Sequence, residues 1–169
     1  MGVFVTHPGT DGNDSLVGSD SQDSFAGGAG DDTFQARGSR DFLCGNEGND
    51  ALYGENGSDA TQGGDGGDFV YGGDDGDDTL DAQAHNDQVY GQAGGDVIEG
   101  GFGGDITSGM SGNDTVRGGD NDDNLYDGLG SDTLRGGNGT DTWWKCDDGG
   151  TADTVTEVEI TKPASSGNC

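Results

Sequence analysis

The chain has 169 residues, of which 34 are Asp or Glu and only 6 are Lys or Arg, so its formal net charge is −28. Gly contributes 38 residues, and hydrophobic residues make up only 27 %. No apolar run approaches the roughly 20 residues of a membrane span, and we expect no nucleic-acid partner because phosphates would be repelled. Two interpretations remain: a disordered acidic chain, or a repeat structure stabilised by bound cations.

An aspartate recurs at almost constant spacing along most of the chain. The spacing is nine residues throughout, with a single step of ten between Asp68 and Asp78. The second residue after each aspartate is apolar, except at Thr61 and Thr107. A disordered tail has no reason to keep this register, so the sequence favours a repeat structure. The aspartates are Asp14, Asp23, Asp32, Asp41, Asp50, Asp59, Asp68, Asp78, Asp87, Asp96, Asp105, Asp114, Asp123, Asp132 and Asp141.

The repeating unit reads G-G-x-G-x-D-x-U-x, where U is a large apolar residue. Its best matches are GGAGDDTFQ (27–35), GGDGGDFVY (63–71), GGFGGDITS (100–108) and GGNGTDTWW (136–144). On these residues the chain resembles the RTX family of hemolysin-type calcium-binding repeats. The resemblance implies an all-β fold, a right-handed parallel β-roll solenoid of about seven to eight turns with two nonapeptides per turn. It also implies a calcium ion between loops one turn apart, such as those ending in Asp50 and Asp68.

The chemistry of the unit points to the same metal. In its first six residues glycine supplies positive φ, and the bare backbone lets carbonyl oxygens and the Asp carboxylate face a common centre. The last three residues predict a short strand with U directed inward. Hard oxygen ligands suit Ca²⁺ better than Mg²⁺, and the sequence has no His/Cys cluster for zinc.

We predict that the loop aspartates ligate calcium with unequal strength. Loops 18–23 and 36–41 lack glycines of the pattern, and the second contains Arg37 and Arg40. An arginine there can replace a cation, so we expect weaker calcium binding at Asp23 and Asp41. The carboxylates expected to bind well are Asp14, Asp32, Asp50, Asp59, Asp68, Asp78, Asp87, Asp96, Asp105, Asp114, Asp123, Asp132 and Asp141.

Charge and core size predict that calcium binding drives folding. Pairing each loop with the loop two repeats on allows up to about 13 calcium ions, which would nearly neutralise the net charge of −28. Each turn offers two U side chains at roughly 1.5–3 kcal/mol each, against about 1–2 kcal/mol for every residue ordered. We therefore expect the chain to fold on binding Ca²⁺, in an extracellular setting where calcium is plentiful.

The last residues of every second repeat form an aromatic column. It contains all four tyrosines of the chain, Tyr53, Tyr71, Tyr90 and Tyr126, together with Trp144. Parallel stacking of the repeats predicts an outward-facing ladder of rings. Two interpretations stay open: cross-strand stacking that strengthens the sheet, and a binding strip for a glycan, a cell surface or another subunit.

The two ends depart from the repeat. We expect residues 1–8 to form an N-terminal capping strand, residues 9–144 the roll, and residues 145–169 a C-terminal cap and tail. Cys146 and Cys169 are candidates for a disulfide, whereas Cys44 has no obvious partner. Neither H-E-x-x-H nor G-x-S-x-G occurs in the sequence, and the repeats occupy most of its length, so we expect no enzymatic activity.

Overall fold

The computed structural model describes residues 6–146, 153–158 and 160–163 of the chain. Within these ranges the chain forms eighteen β-strands and no helix, hence no described helix with the length and apolar character needed to cross a membrane. The strands in chain order are β1 (His7–Pro8), β2 (Ser15–Val17), β3 (Ser24–Ala29), β4 (Thr33–Gln35), β5 (Phe42–Glu47), β6 (Ala51–Asn56), β7 (Ala60–Asp65), β8 (Phe69–Asp75), β9 (Thr79–Ala84), β10 (Gln88–Ala93), β11 (Val97–Phe102), β12 (Ile106–Ser111), β13 (Thr115–Asp120), β14 (Asn124–Tyr126), β15 (Thr133–Asn138), β16 (Thr142–Lys145), β17 (Thr154–Thr156) and β18 (Ile160–Pro163).

Successive strands alternate between two parallel sheets of nine strands each, which we call sheet I (odd-numbered strands) and sheet II (even-numbered strands). Each strand pairs with the strand one turn on, as Leu52 pairs with Val70 and Val70 with Val89. The single ten-residue step is absorbed by a register shift at Glu55 and Asn56, opposite the seven-residue strand β8. The predicted parallel β-roll is therefore confirmed, as a β-solenoid of about eight turns.

Most strands are longer than the three residues that the repeat unit predicts. All of β5, β7, β9, β11 and β13 have six residues and continue into the following loop. Their ladders run through the glycines, since Gly101 pairs with Gly119 and Gly119 with Gly137. Strands β2, β4 and β14 stop after three residues. The turns on either side thus supply backbone hydrogen-bond partners that lengthen the strands, and these partners cannot be recognised in a single nonapeptide.

The core is one column of side chains between the two sheets. The U positions from Phe25 to Leu134 are buried as predicted, whereas Leu16 and Trp143 at the two ends are only partly buried. Thr61 and Thr107 occupy the same column with hydroxyls that form no hydrogen bond within the described chain. Because a buried hydroxyl without a partner is unfavourable, these two rungs weaken an already thin core. The large buried members are Phe25, Phe34, Leu43, Leu52, Val70, Leu80, Val89, Ile98, Val116, Leu125 and Leu134.

Both sheets continue at the ends of the repeat array. Strand β1 pairs with β3, and β17 and β18 pair with β15 and β16, so the sheets extend past residue 144. Residues 1–5 of the predicted N-terminal strand lie outside the described residues. Cys146 is disulfide-bonded and Cys44 is a free cysteine, while Cys169, the predicted partner of Cys146, lies outside the described residues.

Candidate metal centres

Two columns of buried aspartates run along the two edges of the roll, where each loop enters its next strand. One column begins at Asp14 and the other at Asp23, and the members from Asp32 to Asp141 are at most 2 % exposed. A carboxylate is almost never buried to this degree unless it is paired. Each of these buried carboxylate oxygens therefore needs a hydrogen-bond donor or a cation as its partner.

One carboxylate oxygen of each aspartate joins adjacent turns. The backbone N–H of each aspartate donates to Oδ1 of the aspartate one turn on, from Asp14 N to Asp32 Oδ1 through Asp123 N to Asp141 Oδ1, at 2.7–2.9 Å. The series extends to a 3.2 Å bond from Asp132 N to Oδ1 of Asp153. Each carboxylate is thereby held in one orientation between two loops.

The second carboxylate oxygen, Oδ2, takes no part in these bonds between turns. Oδ2 is buried and accepts no hydrogen bond within the described chain in Asp32, Asp41, Asp50, Asp59, Asp68, Asp78, Asp87, Asp96, Asp105, Asp114 and Asp123. A buried charged oxygen without a partner carries a large desolvation cost. The same oxygen, oriented in the same way on turn after turn, is suited to bind a cation.

The space beside Oδ2 is bounded by a backbone carbonyl of the next turn. A Cβ added at Gly54 would lie 2.5 Å from both Asp59 Oδ2 and the carbonyl oxygen of Gly72. At Gly100 the same position lies 2.5 Å from Asp105 Oδ2 and from the carbonyl oxygen of Gly118. The first glycine of the loop therefore keeps open a small space where a carboxylate and a carbonyl oxygen converge.

This donor set fits calcium. Among the described residues no three His, Cys, Asp or Glu side chains converge, so a cation here would be held by carboxylate oxygen supplemented by backbone carbonyls. Ca²⁺ accepts about six to eight such oxygens at about 2.3–2.6 Å in flexible geometry. Zinc sites are built mainly from Cys sulfur and His nitrogen, which the described loops do not present at this position.

Burial raises the pKa of these carboxyls well above the usual range of an aspartate. The pKa reaches about 7 for Asp68, Asp78, Asp114 and Asp123 and about 8 for Asp87. Desolvation is the main cause, opposed by the hydrogen bond from the backbone of the previous turn. Without a cation, the roll thus holds carboxyls that are reluctant to ionise at neutral pH.

The first loop of each column differs from the others. Oδ2 of Asp14 accepts a hydrogen bond from the backbone N–H of Thr10 at 2.6 Å, and Oδ2 of Asp23 accepts one from Ser19 at the same distance. At these two positions the loop itself satisfies the oxygen. This supports the prediction of a weaker site at Asp23, and Asp14, which was predicted to bind well, has the same local hydrogen bond.

The arginines of loop 36–41 lie at the surface of the roll. Arg37 and Arg40 are both exposed, and the guanidinium carbon of Arg40 lies 5.5 Å from the centroid of the Phe42 ring. The Asp23 and Asp41 loops are neighbours, as predicted, through a 2.7 Å bond from Asp23 N to Asp41 Oδ1. Burial raises the pKa of Asp59 in the same column, whereas the hydrogen bond from Asp41 N and the charge of Arg40 lower it. The replacement of a cation by an arginine at this loop therefore stays a prediction.

Three loops carry a side chain where the others have their first glycine, namely Ala36, Ala82 and Asp127. Asp127 is 1 % exposed. Its Oδ1 accepts hydrogen bonds from the backbone of Cys146 and Gly128, and its Oδ2 accepts one from the indole of Trp143 at 3.0 Å. Sequence reasoning missed this carboxylate, although an aspartate in a glycine position was the available signal.

A second ladder of side chains, formed by the Asn or Asp that precedes several of the site aspartates, was also missed. Asn49 N donates to Asp31 Oδ1 at 2.9 Å, and Gly67 N donates to Asn49 Oδ1 at 2.9 Å. The same contact recurs from Gly95 to Asp77 at 2.8 Å. Asn or Asp recurs at this position, and that recurrence was the signal. These bonds join the turns outside the metal positions.

The aromatic column lies on the outer face of sheet II, as predicted. Tyr53, Tyr71, Tyr90, Tyr126 and Trp144 are each half-buried, and the register places them on successive rungs, with Ser108 between Tyr90 and Tyr126. Ring centroids are 5.0 Å apart for Tyr53–Tyr71, 5.1 Å for Tyr71–Tyr90 and 5.7 Å for Tyr126–Trp144, with the rings nearly parallel.

Comparison with known proteins agrees with this geometry. A family model of the RTX calcium-binding nonapeptide repeat, which spans four copies of the unit, matches residues 8–43, 27–61, 37–70, 72–106 and 108–142. These matches overlap and together include nearly all of the repeat array. No curated protein matches the chain significantly.

Proposed function

Because the chain belongs to the family of RTX calcium-binding nonapeptide repeats, we propose that it is a calcium-binding β-roll module that folds on binding Ca²⁺. One observation carries the proposal: the rows of buried Asp Oδ2 atoms without a hydrogen-bond donor. Repeats of this family are typical of secreted proteins, and extracellular calcium suits weak, repeated sites. We propose an extracellular setting on that basis, and we propose no catalytic role.

The charge of the chain supports coupling between binding and folding. At a net charge of −28, the metal-free roll brings carboxylates to within one turn of each other along both edges. Ca²⁺ supplies the charge that the basic residues lack, and it replaces water at oxygens that folding has buried. Binding energy is then folding energy, as in other metal-dependent small domains.

The proposed ligands at each position are Oδ2 of one site aspartate and backbone carbonyls of adjoining turns. The sites at Asp50, Asp68, Asp96 and Asp105 begin with an intact first glycine and are expected to bind best, and Asp23 and Asp41 are expected to bind more weakly. The upper limit of about 13 ions follows from pairing loops one turn apart.

A calcium titration followed by circular dichroism tests this proposal. The chain in excess chelator is expected to lack β structure, and millimolar Ca²⁺ is expected to restore it cooperatively. Mg²⁺ at the same concentration is the control for a general effect of divalent charge, and it is expected to be far less effective. A full β signal in chelator would contradict coupled folding.

The aromatic column suggests a second function, the binding of a glycan or a surface, and the stacking of its rings limits where such a ligand could bind. In the stacked run, both faces of the Tyr71 ring are covered, by Tyr53 on one side and Tyr90 on the other. Rings stacked in this way present their edges to solvent, whereas a glycan binds to a ring face. Stacking that strengthens the sheet is therefore the better explanation for this run. Tyr71→Ala should therefore cost the calcium-loaded protein about 0.2–1 kcal/mol of stability without the loss of any bound ligand.

A further inference from the structure

The aromatic column is interrupted once, and a groove lies at the interruption. Ser108 takes the rung between Tyr90 and Tyr126, and the three residues are in register on adjacent strands. The groove has a volume of about 390 Å³, and its lining includes both tyrosines, Ser108, Ile106 and Met110. The part of the lining that the structure describes contains no charged side chain, in a protein that is otherwise strongly acidic.

The tyrosines on the two sides of the groove each have one face uncovered by the stack, and both of these faces border the same rung. Tyr90 stacks on Tyr71 and Tyr126 stacks on Trp144, in each case on the side away from Ser108. The two uncovered faces are directed towards each other across the Ser108 rung. Two rungs of a parallel sheet span about 9.6 Å, which leaves room for one flat ring stacked at about 5 Å from each tyrosine.

The floor of the groove contains a hydroxyl that a ligand would have to hydrogen-bond. Ser108 is only 9 % exposed, and its hydroxyl forms no hydrogen bond among the described residues, although it lines the groove. The phenol of Tyr90 already donates to Gln88 Oε1 at 3.1 Å and keeps its acceptor capacity. An inserted ring with hydroxyl groups along its rim would satisfy Ser108, whereas a purely hydrocarbon rim would leave that hydroxyl without a partner.

We propose that the groove between Tyr90 and Tyr126 binds the terminal pyranose ring of a neutral glycan. The axial C–H groups of the sugar would stack on the two tyrosine faces, and its hydroxyls would bond to Ser108 and the phenols. A charged sugar is disfavoured because the described lining residues include no cationic partner. The site exists only in the folded roll, so this inference rests on the calcium-dependent folding proposed above.

Saturation-transfer NMR on the calcium-loaded chain, with methyl β-D-glucopyranoside and methyl β-D-galactopyranoside as probes, tests the inference. At least one pyranoside is expected to receive saturation. Ser108→Tyr fills the groove with the side chain that the column uses elsewhere, and it should weaken binding by about tenfold or more. Tyr90→Leu removes one wall and should weaken binding similarly, which keeps the test valid if Ser108→Tyr fails to fold.

Gln35→Tyr is the matched control. Gln35 lies on the same outward column, paired with Tyr53, so this change adds a ring to the ladder but leaves the groove intact. Its affinity for the pyranoside should stay within about twofold of the parent chain, since neither stacking face of the groove is altered. Circular dichroism in calcium for every variant separates loss of the groove from loss of the fold.

Three results would overturn the inference while the calcium-dependent fold stands. One is the absence of saturation transfer to either pyranoside in protein that circular dichroism shows to be folded. Another is tighter binding of p-cresol than of the pyranosides, which would assign the groove to an aromatic ring. Equal binding to the parent chain and to folded Ser108→Tyr would place the sugar elsewhere, and this too would refute the assigned site.

Discussion

Loops 63–68 (GGDGGD) and 82–87 (AQAHND) lie one turn apart on the same edge of the roll, and the final aspartate is the one residue that they share. Asp68 and Asp87 are both 1 % exposed. The backbone N–H of Asp68 donates to Asp87 Oδ1 at 2.7 Å, and Oδ2 of both accepts no hydrogen bond within the described chain. The two loops therefore present the same carboxylate geometry.

The loops differ in how their backbone reaches this geometry. Gly64 and Gly66 adopt φ values of 132° and 135°, whereas Gln83 and His85 adopt 78° and 85° at the same positions. A residue with a Cβ is strained in this region, by roughly 1–2 kcal/mol. The comparison shows that the neighbouring turns impose the backbone conformation of the loop. Glycine reduces the strain of adopting this conformation.

The largest expected effect comes from removing the shared feature. Asp68→Ala and Asp87→Ala should each cost the calcium-loaded protein about 3–5 kcal/mol, because one change removes an acceptor and a cation ligand from a buried position. Urea unfolding in saturating calcium measures both losses. Asp23→Ala is the control, and it should cost only about 1 kcal/mol because Ser19 already satisfies its Oδ2.

Unequal losses at Asp68 and Asp87 would contradict the claim that the two loops present equivalent sites. A loss at Asp23 as large as either would show that the oxygen satisfied by Ser19 still serves the metal.

Acidification should weaken calcium binding at both loops. Burial raises the pKa of Asp68 to about 7 and of Asp87 to about 8, against about 3.9 in an unfolded chain. The metal-free roll therefore gains stability as the pH falls below about 8, and loses it as the pH rises through this window. Calcium binds the ionised form, so its apparent affinity should fall as the pH drops from about 8 to about 6.

Calcium midpoints measured by circular dichroism at several pH values check this. The midpoint should rise by about tenfold or more between pH 8 and pH 6, since each displaced proton contributes up to tenfold per pH unit. A midpoint independent of pH would show that the carboxylates are already ionised before calcium binds.

Exchanging the first residue of each loop, Gly63 or Ala82, should change the calcium midpoint by a smaller amount and in opposite directions. A Cβ added at Gly63 would meet Asp68 Oδ2 and the carbonyl oxygen of Ala82. Gly63→Ala should therefore raise the calcium midpoint by several-fold, and Ala82→Gly should lower it, because a crowded carboxylate coordinates less well. Calorimetric titration measures both. Shifts of the same sign would mean that the first position acts through chain flexibility alone.

The smallest expected effect comes from relieving backbone strain in loop 82–87. His85 is exposed and has a φ of 85°, so His85→Gly should stabilise the folded protein by about 1 kcal/mol, through relief of strain that exceeds the entropy cost of glycine. Thermal unfolding in calcium gives the sign. The control is Gly66→Ala at the equivalent position of the regular loop, which should be destabilising. Destabilisation by His85→Gly would mean that its side-chain contacts outweigh the strain.

The sequence was sufficient to predict the parts of the structure that depend on register. A period of nine with Asp and U at fixed positions predicts the two sheets, the core from Phe25 to Leu134, and the outward direction of Tyr71, because each follows from strand alternation. The bonds between turns were not predictable, since a nonapeptide does not show which oxygen of Asp68 meets its neighbour. The network of Asp127 and the position of Arg40 depend on side-chain choices set by neighbouring turns.

A crystal structure of the calcium-loaded chain tests the central claim most directly, that the orphaned aspartate oxygens are calcium ligands. The account predicts metal density within about 2.3–2.6 Å of Oδ2 in both Asp68 and Asp87, with backbone carbonyls completing each site. Calcium bound only to exposed carboxylates such as Asp65 and Asp75, with the buried Oδ2 atoms left without metal, would contradict it.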